Sequence, residues 1–418
     1  MAFILTIFIG SVLLFQVQPM IAKFILPWYG GSPAVWSTCL LFFQVGLLLG
    51  YTYAHLLVRF LDKRKQVIVH CSLLVVSLIL LPVTPDESLK PGGEENPTWG
   101  IIRLLMLTVG IPYMLVSTTG PLVQHWFSKR YVNKSPYRLY ALSNLGSLLG
   151  LMTYPFLLEP LLNLRSQTLL WSGGYGVYMI ACCWCASILY RTNTKSSEAV
   201  EPSAPEPVEK AKVSRLGFTD PLLWLLLSGC GSVVLMSSTN KITQDVAVIP
   251  FLWILPLSLY LITLIIAFDG PRWYKRWFWI PLFVLSIPAS ILLLDQAHGG
   301  DEMDIMVQVA LYLFAMFTAA MVCHGELVRL KPQVQHLTGF YLMVSLGGAL
   351  GGTFVNFLAP LMFSGFWEYH VSILLVISLT GFGLLRHYRS QRPKWLLTSG
   401  AFVWIAMLVV SGYYLNQN

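Results

Sequence analysis

The chain has 418 residues, of which 56% are hydrophobic and only 11% charged, with a mean hydropathy of +0.66. Soluble globular domains carry about 25% charge, so this composition excludes a soluble enzyme or binding domain and indicates a polytopic membrane protein. The net charge of +8 invites a nucleic-acid reading, but 22 of the 27 Lys and Arg fall in alternate loops, at 59–65, 129–138, 191–215, 272–276, 329–331 and 386–394. That placement is the positive-inside signature, which reports orientation. No nucleic-acid partner is expected; the lipid bilayer is.

A membrane helix needs about 20 apolar residues. The template predicts spans at 2–21, 34–58, 66–83, 101–123, 139–162, 168–190, 219–238, 247–268, 277–294, 304–323, 338–362, 368–385 and 395–414. Basic loops follow every even-numbered span. The N-terminus is therefore expected in the cytoplasm and the C-terminus outside. The first apolar run has no basic n-region and no small-x-small cleavage site, so it reads as a retained span.

Residues 191–218 are rich in Pro, Glu, Ser and Lys and cannot bury a core. They are expected to form a disordered cytoplasmic linker between a first six-helix half, 1–190, and a second, 219–386. Residues 387–418 are then one extra helix. The halves repeat: Tyr140 to Leu158 aligns with Tyr341 to Ala359 at an offset of 201, GSVLL (10–14) matches GSVVL (231–235), and His125 matches His324. Both halves start on the same side, and parallel repeats of this kind build major facilitator transporters. The fold class expected is all-α, two parallel six-helix repeats plus one added span.

The stretch QPMIAKFILPWYGGSPAVWSTCLLFFQVGLLLGYTYAH (18–55) closely resembles the opening of the membrane part of bacterial fused major-facilitator/spermidine-synthase proteins. The resemblance continues through SPYRLYALSNLGSLLGLMTYPFLLEP (135–160), residues 239–277 and residues 323–360, and so covers nearly the whole chain. It implies a transporter-like fold and a link to polyamines. Full-length members carry a soluble aminopropyltransferase-like domain; after Lys394 this sequence leaves room for one span, so that domain and its activity are not expected.

Small residues repeat at GxxxG spacing, which lets helix backbones approach closely. Gly46/Gly50 lie in span 2, Gly146/Gly150 in span 5, and Gly347/Gly351 with Gly348/Gly352 in span 11. In major facilitators span 2 meets span 11 and span 5 meets span 8; packing within each half is the alternative.

Unpaired polar groups in hydrocarbon are costly and usually face a bundle interior or a water-filled cavity. Gln16, Gln18, Lys23, Glu159, Asn240, Lys241, Gln244 and Asp245 gather at the outer ends of spans 1, 5 and 7, drawing on both halves and both signs of charge. A polar-solute site between the halves would look like this; structural ion pairs are the competing reading, and Asp245 could instead cap span 8. Lys23 is expected to pair with Glu159 or Asp245, beside backbone breaks at Pro19, Pro27, Gly30, Gly31 and Pro33. Asn144 and Asn356 sit deeper, where an Asn often just bonds a neighbouring helix. Gln44, with Trp36 and Tyr51 on the same span, offers a lining suited to an organic cation through cation–π contacts.

The loops LDKRK (61–65) and FDGPRWYKR (268–276) faintly resemble the facilitator signature that latches the cytoplasmic side. His125, His324 and Glu326 read as exposed loop residues, and Cys182, Cys183 and Cys185 as small-residue helix packing. No Walker-type loop, HExxH or dinucleotide-binding unit occurs, so no catalytic residue, cofactor or metal is expected. Two functions remain. One is a transporter-like protein for a polar organic solute, with polyamines suggested only by the family's fused domain. The other is a non-transporting membrane subunit that docks a separately encoded synthase-like enzyme or another membrane complex. On the topology argued here, reporter fusions after Arg215 and after Asn418 give opposite compartment signals; the same signal from both would rule out thirteen spans.

Overall fold

The computed structural model describes residues 1–30, 33–91, 97–131, 134–195, 219–246, 253–297, 304–363 and 367–388. The apolar runs in them are helical, as they must be where no water is present to satisfy backbone N–H and C=O groups. Twelve helices of at least 15 residues occur among the described residues: α1 (Ala2–Tyr29), α2 (Pro33–Phe60), α3 (Lys63–Ser77), α4 (Pro97–Arg130), α5 (Tyr137–Leu161), α6 (Leu164–Lys195), α7 (Thr219–Val246), α8 (Ile254–Asp269), α9 (Arg276–Ala297), α10 (Ile305–Arg329), α11 (Val334–Met362) and α12 (Glu368–Tyr388). Eight are long and apolar enough to cross a membrane; α8, α9 and α12 contain shorter apolar helices. The span predicted at 395–414 and most of the predicted linker, 196–218, lie outside the described residues.

Helix ends follow local chemistry. Asp62 caps α3 by accepting from the Lys65 N–H at 3.1 Å, and Asp304 caps α10 by accepting from the Met306 N–H at 2.8 Å. α1 runs eight residues further than expected, straight through Pro19 and Pro27. Pro19 is buried, where neighbouring groups can satisfy the carbonyl it frees, whereas Pro27 is exposed in the last turn, where little helix follows. The break falls instead at Gly30, whose φ of +81° needs a residue without a Cβ. α4, α5 and α11 carry π-turns at Met106–Gly110, Thr119–Val123, Tyr154–Leu158 and Phe354–Leu358, each containing or closely preceding a proline.

The chain forms two compact units, one of Met1–Leu222 with Pro332–Met343, the other of Leu223–Lys331 with Val344–Asn418. In the first, α1 is the central helix. Its partner α5 approaches through glycine: a Cβ on Gly146 would lie 2.9 Å from the Phe8 carbonyl, and one on Gly150 would lie 2.5 Å from the Val12 carbonyl. α6 closes on another side, where Trp171 Nε1 donates to the Leu13 carbonyl at 2.9 Å. In the second unit α7 and α11 make the same kind of contact. A Cβ on Gly347 would meet the Leu225 carbonyl at 2.2 Å, and one on Gly351 the Gly229 carbonyl at 2.5 Å. Ser228 and Ser232 donate across the seam to the carbonyls of Val344 and Gly348. A core of Val234, Phe283, Met316, Ala319 and Val376 joins α7, α9, α10 and α12.

This corrects the expectation that the glycines of span 2 lie against those of span 11. A Cβ on Gly46 would meet the Tyr113 ring and one on Gly50 the Ser117 hydroxyl, so α2 uses its glycines on α4. The seams Gly46/Gly50, Gly146/Gly150 and Gly347/Gly351 each meet a helix of their own unit.

Gly347 and its neighbour Gly348 test that geometry. Gly348 has nothing within 4 Å of where a Cβ would sit. Gly347→Ala should lower the unfolding temperature in detergent, at a cost of about 1–3 kcal/mol from overpacking. Gly348→Ala should be neutral or slightly stabilising. Equal losses from both would remove the close-approach account.

Candidate functional site

Ser11, Gln16 and Lys23 lie on the side of α1 that meets α5. Ser11 bonds Ser143 at 2.7 Å, Gln16 Nε2 donates to Thr153 Oγ1 at 3.4 Å, and Lys23 Nζ donates to Glu159 Oε1 at 2.6 Å. The numbers rise together on both helices, so α1 and α5 run parallel. The glycine contacts set the register that brings Lys23 to Glu159, about three turns beyond Ser11 on α1 and about four beyond Ser143 on α5. The pair is half-buried, with side-chain exposures of 37% for Lys23 and 22% for Glu159.

Gln18 points away from α5: its Nε2 donates to the Leu14 carbonyl at 3.3 Å and to Tyr113 Oη of α4 at 3.5 Å. Asn144 donates to the Tyr140 carbonyl one turn back and so satisfies its own helix. The Gln44 side-chain oxygen is buried without a hydrogen-bond partner among the described residues. Tyr51, on the same helix, sits edge-on to Tyr341, which stacks on Tyr140 at 5.0 Å and donates to Gln124 Oε1 at 2.7 Å. Residues 332–343 are held to α2, α4 and α5 by these contacts, by His55 on Thr338 and by Tyr137 on the Pro332 carbonyl.

In the second unit, Ser228 with 344 and Ser232 with 348 fix an offset of 116 between α7 and α11. The same offset puts Asn240 level with Asn356. Both amide atoms of Asn356 are buried without a hydrogen-bond partner among the described residues, and the residue sits in a π-turn. Such turns are frequent at functional sites. Lys241 acts electrostatically on Glu368, the buried first residue of α12, a partner that local sequence does not signal. The side chains of Gln244 and Asp245 lie outside the described residues. Asp245 belongs to the last turn of α7 and Trp253 precedes α8, so Asp245 does not cap α8.

The exposed-loop reading of His125, His324 and Glu326 is overturned: all three are buried, because α10 continues to Arg329 and carries the second and third inside its unit. Glu326 accepts from Arg276 Nε at 2.7 Å, from Arg276 Nη2 at 2.5 Å and from Tyr274 Oη at 2.9 Å. Burial, with the Glu326 charge beside it, raises the Tyr274 phenol well above its ordinary value and keeps it a donor. The Tyr274 ring lies against Gly325, where a Cβ would clash. His324 bonds Thr263 Oγ1 through Nδ1 at 2.8 Å. The signals available were the basic loop 272–276 and the His-Gly-Glu run; their meeting needs the fold. The CCxC cysteines turn to different neighbours, and no group of three potential metal ligands occurs among the described residues.

No family model matches the chain, and no curated protein matches it. Solved structures do. XylE, the proton:xylose symporter of the major facilitator superfamily, bound to 6-bromo-6-deoxy-D-glucose, is similar at a TM-score of 0.55 and 13% identity, covering 91% of this chain and 94% of that chain. The inward-open xylose transporter XylE from E. coli is similar at a TM-score of 0.53 and 14% identity, with the same coverage. The chain has a major-facilitator-like fold. It is an all-α, multi-pass membrane protein.

The Arg276–Glu326 bridge, with exposures of 15% and 7%, is the most enclosed ion pair among the described residues. Arg276→Ala strands the Glu326 carboxylate and should cost about 3–5 kcal/mol, read as a lower melting temperature in detergent. Arg276→Gln with Glu326→Gln should recover part of that loss. A single mutant as stable as the parent would show that the bridge does not hold the α8–α9 loop to α10.

Proposed function

We propose that this chain moves a polar organic solute bearing an ammonium group, with polyamines the leading class, across the bacterial inner membrane. The observation that carries the reading is the half-buried Lys23–Glu159 bridge at 2.6 Å. A cationic solute can take the place of the Lys23 ammonium on Glu159, so that the carboxylate stays paired with and without cargo. The carboxylate is thus never stranded, and the displaced Lys23 ammonium, 37% exposed, turns to water. The fold supports a transporter reading.

Gln16, Gln18, Gln44 and Asn144 in the first unit, and Asn240, Lys241, Gln244, Asp245 and Asn356 in the second, complete the proposed solute-binding set. The unpaired amide atoms of Gln44 and Asn356 are the acceptors and donors a polar solute would satisfy. Tyr51 adds an aromatic face for an alkylammonium.

Uptake into proteoliposomes with a panel of polyamines and amino acids tests the proposal. Time-dependent accumulation of at least one amine is expected, reduced at least tenfold by Glu159→Gln at unchanged protein level. No uptake of any panel member would sink the transporter reading and leave the membrane-subunit alternative. Uptake of neutral amino acids that Glu159→Gln leaves intact would sink the role of the bridge.

A further inference from the structure

The glycine seam sets how far along α1 Glu159 lies, not which way it points. The face of α5 turned to α1 is marked by Ser143, Gly146, Gly150 and Thr153, which lie against Ser11, Phe8, Val12 and Gln16. Steps of three and four are those of residues on one side of an α-helix. The next step of four arrives at Leu157. At about 100° per residue, Glu159 would then stand about 200° beyond the seam, on the far side of α5. Yet its carboxylate meets Lys23 at 2.6 Å, and Leu157 is 52% exposed.

The π-turn at Tyr154–Leu158 makes the difference. It closes with the Glu159 N–H on the Tyr154 carbonyl, five residues back instead of four. Such a turn holds one residue more than an α-turn, so every later residue falls one place behind. The seam passes from Leu157 to Leu158, and Glu159 follows it by about 100°, on a flank that the long Lys23 side chain can reach.

The cause lies just past the turn. Proline has no N–H, and its ring clashes with the carbonyl four residues back, which for Pro160 is that of Phe156. A widened turn carries that carbonyl off the ring. Of the four π-turns among the described residues, Met106–Gly110, Tyr154–Leu158 and Phe354–Leu358 each end two residues before a proline, at Pro112, Pro160 and Pro360. The turn at Phe354–Leu358 also closes five residues back, Ala359 N–H on the Phe354 carbonyl, although Val355 stands where the first unit has Pro155. The following proline is the feature the two share.

We propose that Pro160 is a positioning residue: through the π-turn it swings Glu159 round α5 to Lys23, and so builds the carboxylate site for an ammonium group. The inference deepens the cation-exchange role given to this bridge and rests on that reading. The swing itself is measurable without any solute.

The test is a zero-length cross-link on the full chain in detergent. A water-soluble carbodiimide activates the Glu159 carboxylate, the Lys23 amine attacks it, and an amide forms as the carbodiimide leaves as a urea. Mass spectrometry of the peptides gives the yield of the Lys23–Glu159 link. Pro160 is exposed, so Pro160→Ala removes no buried side chain and should keep the parent melting temperature. It should lower the link at least fivefold, whereas Pro360→Ala in the second unit should leave it unchanged. In the straightened helix, position 158 takes the flank that Glu159 held. Pro160→Ala combined with Leu158→Glu and Glu159→Leu should therefore restore at least half of the parent yield, now through residue 158. An undiminished link in Pro160→Ala would overturn the proposal. So would a lost link that the moved carboxylate does not restore, because that is local disorder and not rotation. A link that behaves as expected in a protein that takes up no amine would uphold the positioning and strike the transport reading alone.

Discussion

The contact on which the rest of the first unit depends is the close approach of α1 and α5 at Gly146 and Gly150. There is no hydrophobic driving force between helices in lipid, so association rests on packing and on polar bonds across the seam. Glycine lets the two backbones come near enough for Ser11 to reach Ser143. Once that register is set, Gln16 falls opposite Thr153 and Lys23 opposite Glu159. A residue larger than glycine at 150 would push the helices apart, and the ion pair at the far end would lose its geometry with them.

The second unit solves the same problem with different side chains. Gly229 and Gly347 meet, and serines of α7 donate to carbonyls of α11 instead of to side chains. In this unit the Asn356 amide has no hydrogen-bond partner among the described residues. Unsatisfied buried groups cost stability. Their presence on the seam is the kind of local penalty that a binding site carries.

Charge is handled in two ways. The Arg276–Glu326–Tyr274 cluster is enclosed, with the carboxylate receiving three donors, and its role is to fasten the α8–α9 loop. The Lys23–Glu159 bridge has a single contact and more exposure, so its partners can be exchanged at smaller cost. That contrast, in enclosure and in number of bonds, is what the proposed cation exchange at Glu159 rests on.

The sequence by itself determined that the chain is a bundle of membrane helices, and nearly where each one runs. An apolar run is a local property, and lipid forces any such run to satisfy its backbone as a helix. It also narrowed the Lys23 partner to two acids. Helix ends were less legible: Pro19 and Pro27 read as breaks yet sit within α1, Pro19 buried among its neighbours and Pro27 exposed in the last turn. Tertiary structure alone decided which helix each glycine seam meets, because GxxxG stripes on α2, α5 and α11 are alike in composition and any could suit any other. The same holds for Arg276 and Glu326, which are 50 residues apart, and for Lys241 and Glu368. Pairing between distant segments depends on helix register and rotation, and those are fixed by packing that no local pattern encodes.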